Sequence, residues 1–222
     1  MNKVFLTCGI LLTATSAFAN LIQNGSFETG DISGWTYWHA PWCVNCQAVV
    51  QTGSGTMVDG QSRARLQISN GEGSFGLYQV VAVPTDKEVT LEAWVRATSN
   101  NVNWAEVLLY DYAVTDINDI DSGEKSAPYM IWKRDSWGGV SGLPGGYLPT
   151  VATSGGPGDS WEMTTKTLTS VPSGVVTVAF KWGRSGGGFS GSMYLDAITL
   201  TPEPAMMLLL GLPALFLRRR RL

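Results

Sequence analysis

His39 is the only histidine in this chain. A zinc site built on Cys43 and Cys46 would lack a second ligand pair. A serine or cysteine nucleophile would have to take its base from that single imidazole. No Gly-x-Ser-x-Gly elbow, glycine-rich phosphate loop or zinc-hydrolase helix motif is present. Apolar residues at three-to-four spacing are also scarce, which excludes an α-helical body. Basic residues are few where they would matter. With Lys3, the four arginines 218–221 and Glu203 set aside, 10 basic residues face 17 acidic ones, so the whole-chain charge of −3 conceals a body near −7. An acidic body without a basic stripe is a poor candidate for nucleic acid or anionic lipid.

Long apolar runs are missing too. Ala205–Leu217 is thirteen residues, roughly 20 Å of helix against a hydrocarbon core of about 30 Å. It follows Pro202-Glu203-Pro204 and precedes Arg218, Arg219, Arg220 and Arg221. The prolines bar a helix or central strand from running through, and the arginines would hold the end on the cytoplasmic side. The triplet, short apolar helix and arginine cluster, in that order, resemble a PEP-CTERM sorting signal. The resemblance implies transient inner-membrane insertion, cutting near the triplet by an exosortase-type membrane protease, and release toward the cell surface or extracellular matrix. An ordinary tail anchor is the alternative. At the other end, Lys3, the apolar stretch to Leu12 and Ala17-Phe18-Ala19 read as a secretory signal peptide over residues 1–19. Export is therefore expected, with 20–201 as the body and 202–222 as the sorting segment.

A body of about 180 residues suits one domain. In an exported protein, Cys43-Val44-Asn45-Cys46 reads first as a short-loop disulfide, with a zinc half-site or a redox pair as alternatives. Period-two alternation dominates elsewhere. Val89, Leu91, Ala93 and Val95 alternate with Thr90, Glu92, Trp94 and Arg96. Further strands are expected at Gly71–Val83, Trp104–Asp111, Trp161–Leu168, Val175–Trp182 and Met193–Leu200, the last two joined by a turn-rich stretch 183–188. Short strands at this spacing describe an all-β antiparallel sandwich. Residues 137–159, with eight glycines and three prolines, form a long loop of the kind that is commonly functional or disordered. The acidic run Asp116–Asp121 fails the EF-hand spacing and reads as a solvated loop.

Asn24-Gly25-Ser26-Phe27-Glu28, then Gly34-Trp35, is similar to the opening of carbohydrate-binding modules of the family 4/9 type and of related galactose-binding-like jelly rolls. Leu91–Ala97 is similar to their central strand and Tyr194–Leu200 to their closing strand. The resemblance implies that first and last strands lie side by side. It also implies that Glu28 and Asp196 share a structural calcium with backbone carbonyls, oxygen chemistry that suits the ion. The competing use of both acids is turn capping.

Modules of this kind that bind sugar stack pyranose faces on aromatic rings. Trp35 reads as core. Trp94 falls on the sheet face opposite Val89, Leu91 and Val95. Trp38, Trp42, Trp132, Trp137 and Tyr147 lie in loop-like or irregular context and are expected to be exposed. No motif says which rings carry sugar. For hydrolysis two facing carboxylates are needed, and Glu92 with Glu106 is the least unfavourable pair. A calcium-stiffened, non-catalytic sandwich that binds polysaccharide is the principal expectation. The alternatives are a structural or adhesive matrix component without a saccharide site and, third, a glycoside hydrolase.

Overall fold

The computed structural model describes residues 19–53, 56–97, 104–121, 130–135, 145–147 and 160–203. Two strands carry the architecture: β3 (Ser62–Ala82, 21 residues) and β9 (Val175–Pro202, 28 residues). They pair antiparallel from Ala64 opposite Leu195 to Ala82 opposite Val175, and both bend at the same level. On β3 the register slips between Ile68 and Gly71 and again before Gly73, with Asn70 in the left-handed region. On β9 residues 185–188 bulge outward between Arg184 and Phe189, Gly186 and Gly188 take positive φ, and the Gly186 amide donates to Glu72 Oε2 at 2.8 Å.

Each half of the bent pair belongs to a different layer. One layer runs β1 (Thr36–His39), the second half of β3, the first half of β9, β5 (Trp104–Tyr110), β6 (Met130–Asp135) and β7 (Gly145–Tyr147). The other runs β2 (Val44–Thr52), the first half of β3, the second half of β9, β4 (Val89–Ala97) and β8 (Glu162–Leu168). Ladders are antiparallel except for β6 with β7, which is parallel. Leu66, Ile68, Leu91, Val95 and Leu195 from one layer meet Phe75, Leu77, Val107, Val178 and Phe180 from the other in a single core. Alternation along each strand sends these side chains inward and the intervening ones outward. The result is an antiparallel β-sandwich whose layers are one sheet folded on itself.

The opening segment closes the structure. The Leu21 amide donates to the Leu200 carbonyl and the Ile198 amide to the Gly25 carbonyl, at 2.9 and 3.0 Å. Gly25 is needed there, since a β-carbon would overlap the Ile198 oxygen. Phe27 stacks on Trp35, and Trp35 meets Phe180 at a tilt of 58°, with centroids 5.9 and 5.7 Å apart. The first and last segments thus lie side by side. Gln79, buried on an inner-face position, accepts from the Gln23 amide and donates to the Gln23 and Gly34 carbonyls.

Several expectations change. The stretch 183–188 is a bulge rather than a turn, because β3 keeps pairing with β9 on both sides of it. The strand expected from Gly71 begins nine residues earlier, at Ser62, and β1 and β2 are strands that alternation did not announce. The acidic run holds a helical turn, Asn118–Asp121 (α1), capped by Asp116 Oδ1 accepting from the Asn118 amide. Its Ile120 is fully buried, so the stretch is amphipathic rather than solvated. Within 137–159 only Gly145–Tyr147 is described.

Cys43 and Cys46 are disulfide-bonded. The bridge sits on Gly73 at the bend of β3, where a β-carbon would overlap both sulfurs. Gly73→Ala is expected to cost on the order of 1–3 kcal/mol of stability by overpacking, measured by urea unfolding. In a Cys43→Ser/Cys46→Ser background the same change is expected to cost somewhat less, since the larger sulfurs are replaced by oxygens while the Cα of residue 43 at 2.9 Å and the positive φ of Gly73 remain.

Candidate functional site

Alternation turns Trp104, Glu106, Leu108 and Tyr110 of β5 away from the main core. Leu108 and Tyr110 join Trp38, Val114, Ile120, Met130 and Ala179 in a second, smaller apolar cluster on the outer side of the β1–β3–β9–β5–β6 layer. The Tyr110 hydroxyl donates to the Asp119 carbonyl at 3.3 Å and the Tyr112 hydroxyl to the Asp119 carboxylate, which seats α1 on this face. Burial, first, pushes both phenols up.

The neighbouring row is polar. Trp38, Gly76, Lys181 and Glu106 stand opposite one another on successive strands. Lys133 Nζ lies 3.0 Å from Glu106 Oε1 and Lys181 Nζ lies 3.7 Å from Oε2, all three groups buried. One carboxylate thus serves two ammoniums. The Trp38 indole lies against Gly76, where a β-carbon would stand 3.0 Å from Nε1. The next row places Ser74 opposite Gly183 and Gly183 opposite Trp104. Lys181 Nζ is 5.5 Å from the Trp104 ring, and Trp42 meets that ring edge-on with centroids 6.0 Å apart. Among the described residues, Trp38 Nε1 and Ser74 Oγ on these rows are buried without a hydrogen-bond partner, and Glu106 Oε2 has only the longer ion pair with Lys181. At the other end of the face, Thr36, Tyr78, Val80 and Val114 line a groove of about 500 Å³.

The rings singled out from sequence do not converge. Trp42 is 41% exposed and stands at this face. Trp38 shares the face but is only 2% exposed, because the second cluster packs on it. Trp132, at 5%, is inside the main core opposite Leu109, so its expected exposure is corrected. Trp94 is half-buried on the outer side of the other layer, opposite Asp196 and Met163. Trp137 lies outside the described residues, and of Tyr147 only the backbone is described. Glu92 and Glu106 lie on opposite outer sides of the sandwich, since Glu92 shares the outward side of β4 with Trp94. They cannot flank one glycosidic bond. Trp104, Lys133 and Lys181 were not singled out. The signal for Trp104 was available in the alternation Trp104, Glu106, Leu108, Tyr110.

Glu28 and Asp196 converge on one segment. Glu28 Oε1 accepts from the Gln61 and Ser62 amides at 2.8 and 2.7 Å. Asp196 Oδ2 accepts from the Val58 and Asp59 amides at 2.8 and 3.2 Å, and Oδ1 from its neighbour Ala197. A bulge at Ala197, which has φ 47°, sets this direction. Burial holds the Asp196 carboxyl above its ordinary value despite those amides. Both acids therefore cap turns. Glu28 Oε2 accepts no hydrogen bond among the described residues and is the oxygen open to a cation. No cluster of three or more His, Cys, Asp or Glu suited to a metal is found among those residues, so a calcium here would draw most of its ligands from carbonyls and water. The sorting residues Pro204 and Arg218–Arg221 lie outside the described residues. Pro202 ends β9 opposite Val89, and the Glu203 amide donates to the Glu88 carbonyl.

A family model described as a carbohydrate binding domain (CBM 4/9) matches residues 19–115, which hold β1 to β5. The carbohydrate-binding module TmCBM61, solved in complex with β-1,4-galactotriose, superposes with a TM-score of 0.55 at 16% identity, over 83% of this chain and 99% of that one. The enzymatically active domain of tailspike protein 4 from bacteriophage CBA120 superposes at 0.54 with 11% identity, over 83% of this chain but 21% of that one. At these identities the likeness establishes the fold. No curated protein matches the chain.

The ionic trio gives a direct test. Glu106→Gln removes the charge shared by Lys133 and Lys181 and is expected to cost about 3 kcal/mol or more, read as a lower urea midpoint with unchanged slope.

Proposed function

We propose that this protein is an exported, non-catalytic saccharide-binding module whose ligand face is the outer side of the β1–β3–β9–β5–β6 layer. One observation carries the reading: Trp42, 41% exposed, meets the half-buried Trp104 edge-on at that face, which also holds Trp38 Nε1 and Ser74 Oγ, two buried polar atoms without a hydrogen-bond partner among the described residues. A buried polar group left unpaired costs about 1–3 kcal/mol, and sugar hydroxyls both donate and accept. A pyranose has an apolar C–H face for the rings and hydroxyls for the polar row. The match to a carbohydrate binding domain over residues 19–115 supports the same reading. The galactotriose bound by TmCBM61 makes a β-1,4-galactan the first probe.

Around this module, residues 1–19 act as a secretory signal and 202–222 as a PEP-CTERM sorting segment. An exosortase-type protease is the processing partner, and the cell surface or extracellular matrix the destination. Glu28 and Asp196 hold a structural calcium at the Val58–Ser62 segment, where it would offset the buried carboxylate charge.

In affinity electrophoresis through β-1,4-galactan and a panel of neutral polysaccharides, Trp42→Ala and Trp104→Ala are each expected to weaken retention about tenfold, ~1.4 kcal/mol. If neither variant changes retention on any polymer, the structural or adhesive reading replaces this one. Calcium at millimolar concentration is expected to raise Tm by several degrees over a chelated sample. Identical melting curves would remove the ion from the account.

A further inference from the structure

On the opposite side of the sandwich, one register row crosses four strands: Val49 on β2, Arg65 on β3, Tyr194 on β9 and Arg96 on β4. At about 4.8 Å per strand this row is roughly 14 Å long. Three guanidinium groups surround its single ring: Arg63 at 4.2 Å, Arg96 at 5.6 Å and Arg65 at 5.9 Å from the Tyr194 centroid. These are three of only 10 basic residues in an acidic body, so their convergence runs against the overall charge. Burial, first, and then the neighbouring Arg96 and Arg65 charges push the Arg63 guanidinium down, while Tyr194 and Asp196 act the other way.

The three arginines are differently engaged. Arg63 is buried and structural: its terminal nitrogens donate to the Thr56 carbonyl at 3.1 Å and Gln51 Oε1 at 3.3 Å. Arg96 donates to Thr56 Oγ1 at 2.9 Å, and the Trp161 indole donates to the same residue's carbonyl at 2.8 Å. Arg65 donates through Nε to Ser192 Oγ at 2.8 Å, which fixes its plane. Both of its terminal nitrogens have no hydrogen-bond partner among the described residues. That leaves a planar fork, held at one edge, half-buried and open at the other. Asp196, two residues beyond Tyr194 on β9, spends its oxygens on three backbone amides. Val49, 36% exposed, ends the row, and Met163, 45% exposed, stands on the same side of the sheet.

An open guanidinium fork matches a carboxylate bidentately; the Tyr194 ring, itself buried beneath the guanidiniums, orients them rather than meeting the ligand. We propose that this side is a second binding surface, separate from the Trp42–Trp104 face, for the carboxylate groups of an acidic polysaccharide, with Arg65 as the paired donor. Arg63 and Arg96 position the ring and the Thr56 segment beside it.

The test uses the full chain on affinity gels containing polygalacturonate or neutral β-1,4-galactan. Arg65→Gln is expected to lower retention by polygalacturonate about tenfold and leave galactan retention unchanged. Arg65→Lys, which keeps charge but not the fork, should fall between. Circular dichroism melts check that both variants are folded, and Arg65→Lys carries the test if Arg65→Gln is not. Retention of wild type by galactan but not polygalacturonate overturns this inference while the saccharide reading stands. Retention by polygalacturonate alone, lost in Arg65→Gln, supports the inference and counts against the aromatic face. Equal retention of Arg65→Gln and wild type on polygalacturonate overturns it. So does equal binding of double-stranded DNA lost with the same substitution, which would mark a general polyanion surface.

Discussion

The antiparallel pairing of β3 with β9 is the constraint on which the rest of this structure depends. Each strand is long enough to serve both layers, and their shared bend turns one ladder into two facing ones. Had either strand bent alone, the ladder would break and the inner faces could not meet. The bend is made by glycine and by an asparagine that tolerates positive φ, Asn70. It is pinned from outside by the Cys43–Cys46 bridge pressed on Gly73. A local covalent loop thus fixes a global property, the angle between the layers' ladders at their common edge.

With the layers fixed, alternation assigns every remaining side chain to the core or to one of two outer sides. The two sides have different chemistry. One carries rings, a shared carboxylate between two lysines, and a roof that includes α1. The other carries arginines around a tyrosine and two exposed apolar side chains. That difference does not arise from the core, which is apolar apart from groups such as the hydrogen-bonded Gln79.

The strand content was legible in the sequence because alternation of the Val89–Arg96 kind survives in any half-buried strand. Its limits were physical. Gly183–Gly188 has the composition of a turn, but tertiary pairing with β3 decides its role, and pairing cannot be read from one segment. Exposure of single rings was poorly legible for the same reason: Trp132 has a loop-like sequence context yet alternates into the core opposite Leu109. Trp104 is the converse case, a strand residue whose outward side follows from its alternation with Glu106 and Leu108 and whose partner across the ladder is Gly183. Charge clusters such as Arg63, Arg65 and Arg96 are separated by up to 33 positions in the chain and are joined only by strand order. The opening Asn24–Glu28 fragment was more informative, since its glycine must approach the closing strand within a hydrogen bond.

That closing contact has a geometric consequence. The backbone at Leu21 and at Leu200 is joined directly, so the points where the chain enters and leaves the folded body share one pole. Removing residues 20–25 would therefore strip the closing strand of backbone partners at both Ile198 and Leu200.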